Sequence, residues 1–396
     1  MSTAGTCLCI KTEKKPHLRF SPACREKRGG EEKIMSDKLK VGVLGGTGMV
    51  GQRFVSLLEN HPWFEVTTIA ASPRSAGKTY EEAVGCRWKM TTPMPEAAKN
   101  IIVKNVNEVE AVAAEVDLLF SAVDMTKNEI RAIEEAYAKT ETPVVSNNSA
   151  HRWTPDVPMV IPEVNPDHIA IIEAQKKRLG TTRGFIAVKP NCSIQSYTPA
   201  LNALMEYGPK TVVATTYQAI SGAGKTFADW PEMVGNIIPY IGGEEEKSEQ
   251  EPLKIWGHIA GDHIEKAVKP LITTQCIRVP VADGHTAAVF VTFEKKPTKE
   301  EMIAAWRAFK GVPQELQLPS APEHFLQYLE EPDRPQVLLD RDFEHGMGVS
   351  IGRLREDTLF DYKFVCLSHN TIRGAAGGGI ELAELLTAKG YIAKKA

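Results

Sequence analysis

Apolar and polar positions come in alternating blocks along the first third of the chain. Residues 39–44 form a short apolar run of strand type, and residues 52–60 follow with helical spacing at Phe54, Val55, Leu57 and Leu58. Residues 65–71 read as a second strand, ending in the loop Ser72-Pro73-Arg74-Ser75-Ala76-Gly77. A third strand is predicted at 116–122, a helix at 127–139 and a fourth strand at 143–147. Strands alternating with helices predict a parallel, doubly wound sheet, because parallel neighbours must be joined by crossovers.

The rhythm changes after Asn148. Pro155, Pro158, Pro162 and Pro166 punctuate a connection, which puts a domain boundary near 150–165. Longer β-rich runs follow at 211–218, 273–281 and 285–293. Between the first two lies 230–267, rich in Gly and Glu, expected to be an excursion that makes oligomer contacts. Further on come a helix at 299–308, a proline-rich surface stretch up to 341, a strand at 360–367 and a helix from 374 to 388. The expected organisation is a first domain over 39–155, completed by a C-terminal helix within 370–390, and an α+β second domain over 156–369.

Composition narrows the function classes. The 396 residues carry a net charge of -3, with 42% hydrophobic and 24% charged residues. Nothing global therefore points to nucleic acid or an anionic membrane. No apolar run is long enough for a transmembrane helix, which needs roughly 20 residues. The seven cysteines (7, 9, 24, 86, 192, 276 and 366) lack paired metal spacing, so no metal site is expected. Free thiols fit a reducing compartment, and a cytoplasmic location is expected. Residues 1–38 are basic and without periodicity, but Glu13, Glu26, Glu31 and Glu32 argue against an acid-poor targeting sequence. They are expected to be a disordered extension, dispensable as far as Met35, which would serve as a natural initiator.

Gly46-Thr47-Gly48-Met49-Val50-Gly51 matches G-x-G-x-x-G, directly after the first strand and directly opening a helix. In that context the glycines let backbone approach a pyrophosphate at the helix N-terminus. An NAD site needs an acid at the end of the second strand, to accept from the ribose hydroxyl. This chain has Ser72, Arg74 and Ser75 there, a cation flanked by hydroxyls, which suits the 2′-phosphate of NADP.

Lys189-Pro190-Asn191-Cys192-Ser193 leads into 194–207, whose apolar positions fit an amphipathic helix. A cysteine at a helix start is expected to be acidified by the unpaired N–H groups there, which makes Cys192 a candidate nucleophile. His285, in a glycine turn entering a strand, is the best placed acid/base partner among ten histidines, though a structural histidine remains an open alternative.

Taken together, Gly-Gly-Thr-Gly-Met-Val-Gly, Ala-Ser-Pro-Arg-Ser-Ala-Gly-Lys, Pro-Asn-Cys192-Ser, Gln218-Ala-Ile-Ser-Gly-Ala-Gly and Arg278-Val-Pro-Val-Ala-Asp-Gly-His285 resemble aspartate-semialdehyde dehydrogenase in its archaeal and fungal branch. The resemblance runs from residue 38 to the C-terminus. It implies a Rossmann-type domain plus a catalytic and dimerisation domain like that of glyceraldehyde-3-phosphate dehydrogenase. It also implies NADP-dependent interconversion of aspartyl phosphate and aspartate semialdehyde through a Cys192 thioester, a step in lysine, threonine and methionine biosynthesis. His285 would be the acid/base, Gln218 would orient the carbonyl, and Arg278 would grip the substrate carboxylate. Glu244 would meet the amine, with Glu245 and Glu246 open as alternatives in a run that also reads as a solvated face, and Lys247, Arg152 and Asn191 would meet the phosphate. Asn370 would hold the nicotinamide amide. The implied partners are a small-molecule substrate, inorganic phosphate and further copies of the chain as a homodimer or homotetramer. The stretch between the glutamate cluster and Arg278 looks longer than in the common bacterial form. Two rivals stay open: a malonyl-CoA-type thioester reductase on the same scaffold, and a catalytically silent NADP-binding regulator. N-acetyl-glutamyl-phosphate reductase shares the nucleophile but less of the motif pattern.

Overall fold

The computed structural model describes residues 38–395, so the expectations for the basic N-terminal segment lie outside the described residues. Strands β1 (Leu39–Leu44), β2 (Phe64–Ala71), β3 (Lys104–Asn105), β4 (Leu118–Ser121), β5 (Val144–Ser146) and β6 (Ile186–Val188) form one sheet in the order β3-β2-β1-β4-β5-β6. Every pairing in it is parallel. The expected doubly wound sheet is therefore what these residues build. Its strands β4, β5 and β6 are buried at every position, as expected of a parallel sheet covered on both faces. The helix Lys127–Lys139 lies where its spacing predicts, opened by a capping box between Thr126 and Glu129. The helix Met49–Leu57 begins three residues earlier than the apolar spacing suggested, straight from Gly48.

One feature departs from the expected domain division. The sixth strand, Ile186–Val188, extends the first sheet well past residue 155, and Val160 N–H donates to the Val188 carbonyl at 3.0 Å beside it. The four prolines thus lie in a connection that belongs to the first sheet. A three-residue strand carries too little periodicity to announce itself. The C-terminal helix Gly377–Ala388 returns to this half and packs on Phe54, which lies 3.0–3.2 Å from where a Gly379 Cβ would be.

The second sheet is mixed. It contains β7 (Pro209–Gln218), β10 (Leu271–Arg278), β11 (His285–Phe293), β12 (Leu326–Leu329), β13 (Val349–Glu356) and β14 (Tyr362–Ser368), in the order β10-β7-β11-β14-β13-β12. A small hairpin of β8 (His258–Ala260) and β9 (His263–Glu265) stands apart. β7 and β10 run parallel, with Gln218 opposite Arg278 at their ends. β11 runs antiparallel to β7 and to β14, so its first residue, His285, lies opposite Ser368 at the end of β14. Three strand ends and one strand start therefore converge at a single edge. β12 and β13 went unpredicted, because one fell in the proline-rich stretch and the other beyond it.

Two sequence expectations fail in instructive ways. The stretch 194–207 is not one amphipathic helix but three short pieces, Ser193–Gln195, Thr198–Asn202 and Met205–Tyr207. Pro199 cannot continue a helix begun before it, and residues 193–201 are buried on every side, so no polar face exists. The supposed excursion 230–267 holds the helix Glu244–Ile255, with Glu244, Ser248 and Glu251 buried on one face. That helix packs against β10 and lines the site below.

Candidate active site

The dinucleotide motif shapes a cleft of about 280 Å³ at the C-terminal ends of β1 and β2, lined by Gly45, Thr47, Gly48, Ser72 and Arg74. Gly45 has φ +76°, and a Cβ there would lie 2.3 Å from the Ala122 carbonyl oxygen. A Cβ on Gly46 would meet Ile69, and one on Gly51 would meet the Gly45 carbonyl oxygen at 2.3 Å. At these three positions the loop is closed tightly enough that only glycine fits, and it is braced by Gln52, whose side-chain amide donates to the Thr47 carbonyl at 2.9 Å. No side chain caps the helix that starts at Met49, so its first N–H groups remain available for an anion. Met49 faces a smaller cavity with Ile220 and Ser221, towards the other half, whereas Val50 packs on the apolar core. Ser72 and Arg74 are exposed at the cleft, while Ser75 is buried and its N–H closes the turn on the Ser72 carbonyl at 2.9 Å. Arg87 joins Arg74 in the lining, a second cation that sequence reasoning missed; Asp124, after β4, also lines it. A glycine cradle, free helix N–H groups and two arginines fit a phosphorylated dinucleotide.

The second cluster lies at the convergent edge of the mixed sheet. Cys192 Sγ sits 3.5 Å from His285 Nε2 and 3.4 Å from Asn191 Oδ1. Ala219 N–H lies 3.1 Å from His285 Nδ1, which leaves Nε2 as the ring nitrogen facing the sulfur. Burial depresses His285 to about 3, with Arg278 adding to the shift and the Gly284 carbonyl opposing it. Burial and Glu244 raise the Cys192 thiol, against the pull of Lys189, Arg152 and Arg278. The expected helix-start acidification is thus overturned. Only a three-residue turn begins at Ser193, and the enclosed surroundings outweigh it. At rest the pair is a thiol and a neutral imidazole.

Around this pair the chain assembles charges of both signs. Arg278, at the end of β10, donates through Nη1 to the Ala219 carbonyl at 2.6 Å. Gly222 leaves open the space beside it, for a Cβ there would lie 2.8 Å from Arg278 Nη1 and 3.1 Å from His285 Nε2. Of the three adjacent glutamates, Glu244 faces the site. Its carboxylate accepts from Asn191 Nδ2 at 2.9 Å, Gln218 Nε2 at 3.4 Å and Lys247 Nζ at 2.7 Å. Burial alone would raise this carboxyl, but Lys247, Asn191 and Arg152 hold it below the usual range. Glu245 instead accepts from Cys276 N–H, and Glu246 is exposed.

Arg152 is buried and donates to the Lys189 carbonyl at 3.1 Å, to Glu251 at 2.9 Å and to the Asn147 carbonyl at 3.3 Å, leaving two N–H groups unused. Asn370 accepts from Gly284 N–H at 2.7 Å and donates to Ser221 at 2.9 Å, so both ends of its amide brace the loops that carry His285 and Gly222.

The comparisons with known proteins agree with this geometry. Residues 40–172 match the semialdehyde dehydrogenase NAD-binding domain, and residues 201–373 the semialdehyde dehydrogenase dimerisation domain. The chain is 44% identical over 350 residues to aspartate-semialdehyde dehydrogenase from Archaeoglobus fulgidus, covering 88% of this chain and 98% of that one. It is 43% identical over 373 residues to the Saccharomyces cerevisiae enzyme of the same name, covering 90% and 100%. The chain belongs to the aspartate-semialdehyde dehydrogenase family. A crystal structure of the Candida albicans aspartate-semialdehyde dehydrogenase with NADP superposes with a TM-score of 0.81 at 40% identity, covering 90% of this chain and 100% of that one.

Besides Arg87, two residues of this aspartate-semialdehyde dehydrogenase fold escaped the sequence reading. Glu251 accepts from both Arg152 Nη1 and Asn191 N–H, the latter at 2.6 Å, and so ties a guanidinium to the loop that carries Cys192. Its signal was present: Glu251 lies seven residues after Glu244, two helical turns along the same face. Lys189, three residues before Cys192, is 2% exposed. Nothing in its position alone marks a lysine after a strand as buried.

Proposed function

We propose that this chain interconverts aspartyl phosphate and aspartate semialdehyde with NADP and phosphate, through a thioester on Cys192. What carries the reading is the pairing of Arg278 and Glu244 across the Cys192–His285 couple. The substrate has an α-carboxylate and an α-ammonium close together and needs a fixed cation and a fixed anion. Arg278 shares the open space beside Gly222 with His285 and offers a planar two-point grip to the carboxylate. Glu244, held through Asn191 on the side of the sulfur, takes the ammonium.

In the oxidative direction Sγ bonds to the aldehyde carbon, and the thiol proton passes to the new alkoxide, whose O–H then faces His285. NADP, held by the glycine loop with Ser72, Arg74 and Arg87, accepts the hydride that leaves this carbon. His285 takes the hydroxyl proton as the carbonyl reforms, and Gln218 orients that oxygen. Phosphate, met by the unused N–H groups of Arg152 together with Asn191 and Lys247, attacks the thioester carbon. The C–S bond then breaks, and Sγ recovers its proton from His285. Because Cys192 and His285 are both neutral in the free site, the thiol proton moves only once the substrate is bound.

Exposed Val234, Ile237 and Tyr240, within the stretch matching the dimerisation domain, support a homo-oligomer. Among the described residues, no helix is long and apolar enough to cross a membrane. The test offers NADPH with aspartyl phosphate and, separately, with malonyl-CoA. The expected result is oxidation with the acyl phosphate alone; comparable turnover of malonyl-CoA would move the assignment to the thioester-reductase reading.

A further inference from the structure

Lys189 follows β6, and its N–H donates to the Ser146 carbonyl at 3.0 Å, so the backbone is anchored in the first sheet. Its side chain runs inward and is 2% exposed. The ammonium donates to the Pro190 carbonyl, and among the described residues it forms no ion pair. The nearest carboxylate, Glu251, is already committed: one oxygen accepts from Arg152 Nη1 at 2.9 Å and the other from Asn191 N–H at 2.6 Å. The other charged groups around Lys189 make its position worse. Arg152 and Arg373 are both cations that oppose its charge, and Arg373 is itself matched by Glu163 and Glu381. Across the cluster, Glu244 is matched by Lys247 and opposes a thiolate, while Arg278 lies beyond His285.

A buried cation without an anion costs several kcal/mol, and proteins retain one where a charge arises to meet it. The side chain in this cluster that gains negative charge in the reaction is the Cys192 sulfur, when the C–S bond breaks. We infer that Lys189 is the counter-charge of the Cys192 thiolate, a positioning residue that acts through the nucleophile without touching substrate. The inference rests on Cys192 being the nucleophile of the proposed reaction. Two observations fit it. Lys189 is the largest of the influences that draw the Cys192 thiol down, and Cys192 in turn favours the charged form of Lys189. Burial holds the ammonium down to about 7, so its charge is poised to respond to its neighbour near neutral pH. The backbone is held on both sides: Arg152 Nε donates to the Lys189 carbonyl at 3.1 Å, and Gly374 packs so closely that a Cβ there would lie 2.8 Å from Cys192 Cβ.

The test is the pH profile of Cys192 alkylation by iodoacetamide in the full chain, read on the Cys192 peptide by mass spectrometry. Lys189→Met keeps the volume and removes the charge, and Lys189→Arg keeps the charge. The methionine variant should raise the alkylation midpoint by about one pH unit or more, slowing labelling at neutral pH at least roughly tenfold. The arginine variant should stay within about threefold of wild type, a shift of less than half a unit. NADP binding, read by fluorescence, should be unchanged in both, and a structural role alone would leave the profile in place. Superimposable profiles for wild type and Lys189→Met overturn the inference while the reaction stands. Failure to alkylate Cys192 in wild type at any pH overturns the reaction and the inference together. Should Lys189→Met not accumulate as folded protein, Lys189→Gln carries the same comparison with the same two outcomes.

Discussion

Glu251→Gln tests whether the nucleophile loop is held by a buried charge. The carboxylate is fully buried and accepts two bonds, one on each oxygen, from Arg152 Nη1 and from Asn191 N–H. An amide of the same shape has one oxygen. Whichever way it is turned, its NH₂ group faces a donor, and Arg152 keeps a buried charge with no anion beside it. Breaking a buried ion pair by removing one partner costs about 3–5 kcal/mol, and the retained acceptor puts this case near 3. At roughly 2–3 °C per kcal/mol for a chain of this size, the melting temperature should fall by about 6–9 °C. The loop freed at Asn191 carries Cys192, so kcat should fall at least about tenfold, equivalent to 1.4 kcal/mol of misplacement. The glycine cleft shares no bond with Glu251, and NADP affinity should persist. Thermal melts by circular dichroism, steady-state kinetics at 20 °C below the variant's midpoint and cofactor titration read the three quantities. Glu246→Gln, exposed on the same helix, is the control. A Glu251→Gln enzyme that melts within about 1 °C of wild type and turns over normally would refute the role of the charge.

Three further outcomes follow from the geometry. Arg74→Ala should weaken NADPH by about ten- to a hundredfold, the loss of one charged hydrogen bond, and NADH far less; equal losses would make Arg74 structural. Glu244→Gln should raise the KM for aspartate semialdehyde at least about tenfold on the same arithmetic. It should also change unfolding free energy by less than about 1 kcal/mol, since Lys247 is partly solvated, and an unchanged KM would remove the amine contact. His285 is held at about 3 against its ordinary 6.5, so the unfolded chain binds this proton first as pH falls. The stability it contributes is complete above about 6.5 and is lost towards pH 3; urea unfolding from pH 7.5 to 4.5 should show a shallower slope for His285→Gln, and an identical slope would mean that the ring is not held neutral.

The first sheet was legible because its signals are local. An apolar run, a glycine turn and an amphipathic helix follow one another within thirty residues, and the helix Lys127–Lys139 carries its own capping box. The approach of Cys192 to His285 was legible through the motifs around each residue. What surrounds them was not. The helix Glu244–Ile255 is polar through its first eight residues, and charged residues ordinarily signal a solvated face. Here Glu244, Glu251 and Lys254 are buried because partners from residues 152, 154, 157 and 191 satisfy them. Those partners are 50 to 100 residues away, and no window along the chain brings them together. The thiol's acidity was misjudged for a related reason: a helix start is visible in sequence, but the depth of its burial is not.

The arrangement also explains why a neutral pair suits the proposed reaction better than the acidified thiolate the sequence suggested. A permanent thiolate beside Glu244 would set two negative charges against each other in an enclosed site, and the Glu244 contribution to the raised thiol is that repulsion. The substrate ammonium, once it reaches Glu244, removes the repulsion. The carboxylate, once it reaches Arg278, removes the cation that most strongly opposes a protonated His285. Both changes favour transfer of the thiol proton towards the ring, and both come from the same ligand. A molecule lacking either charge would relieve only one of them. Selectivity for an α-amino acid is on this view built into the ionisation of the nucleophile as well as into the grip on the substrate, and alkylation of Cys192 should quicken with an unreactive amino-acid analogue that leaves the sulfur accessible, while the matching analogue without the amine should leave it slow.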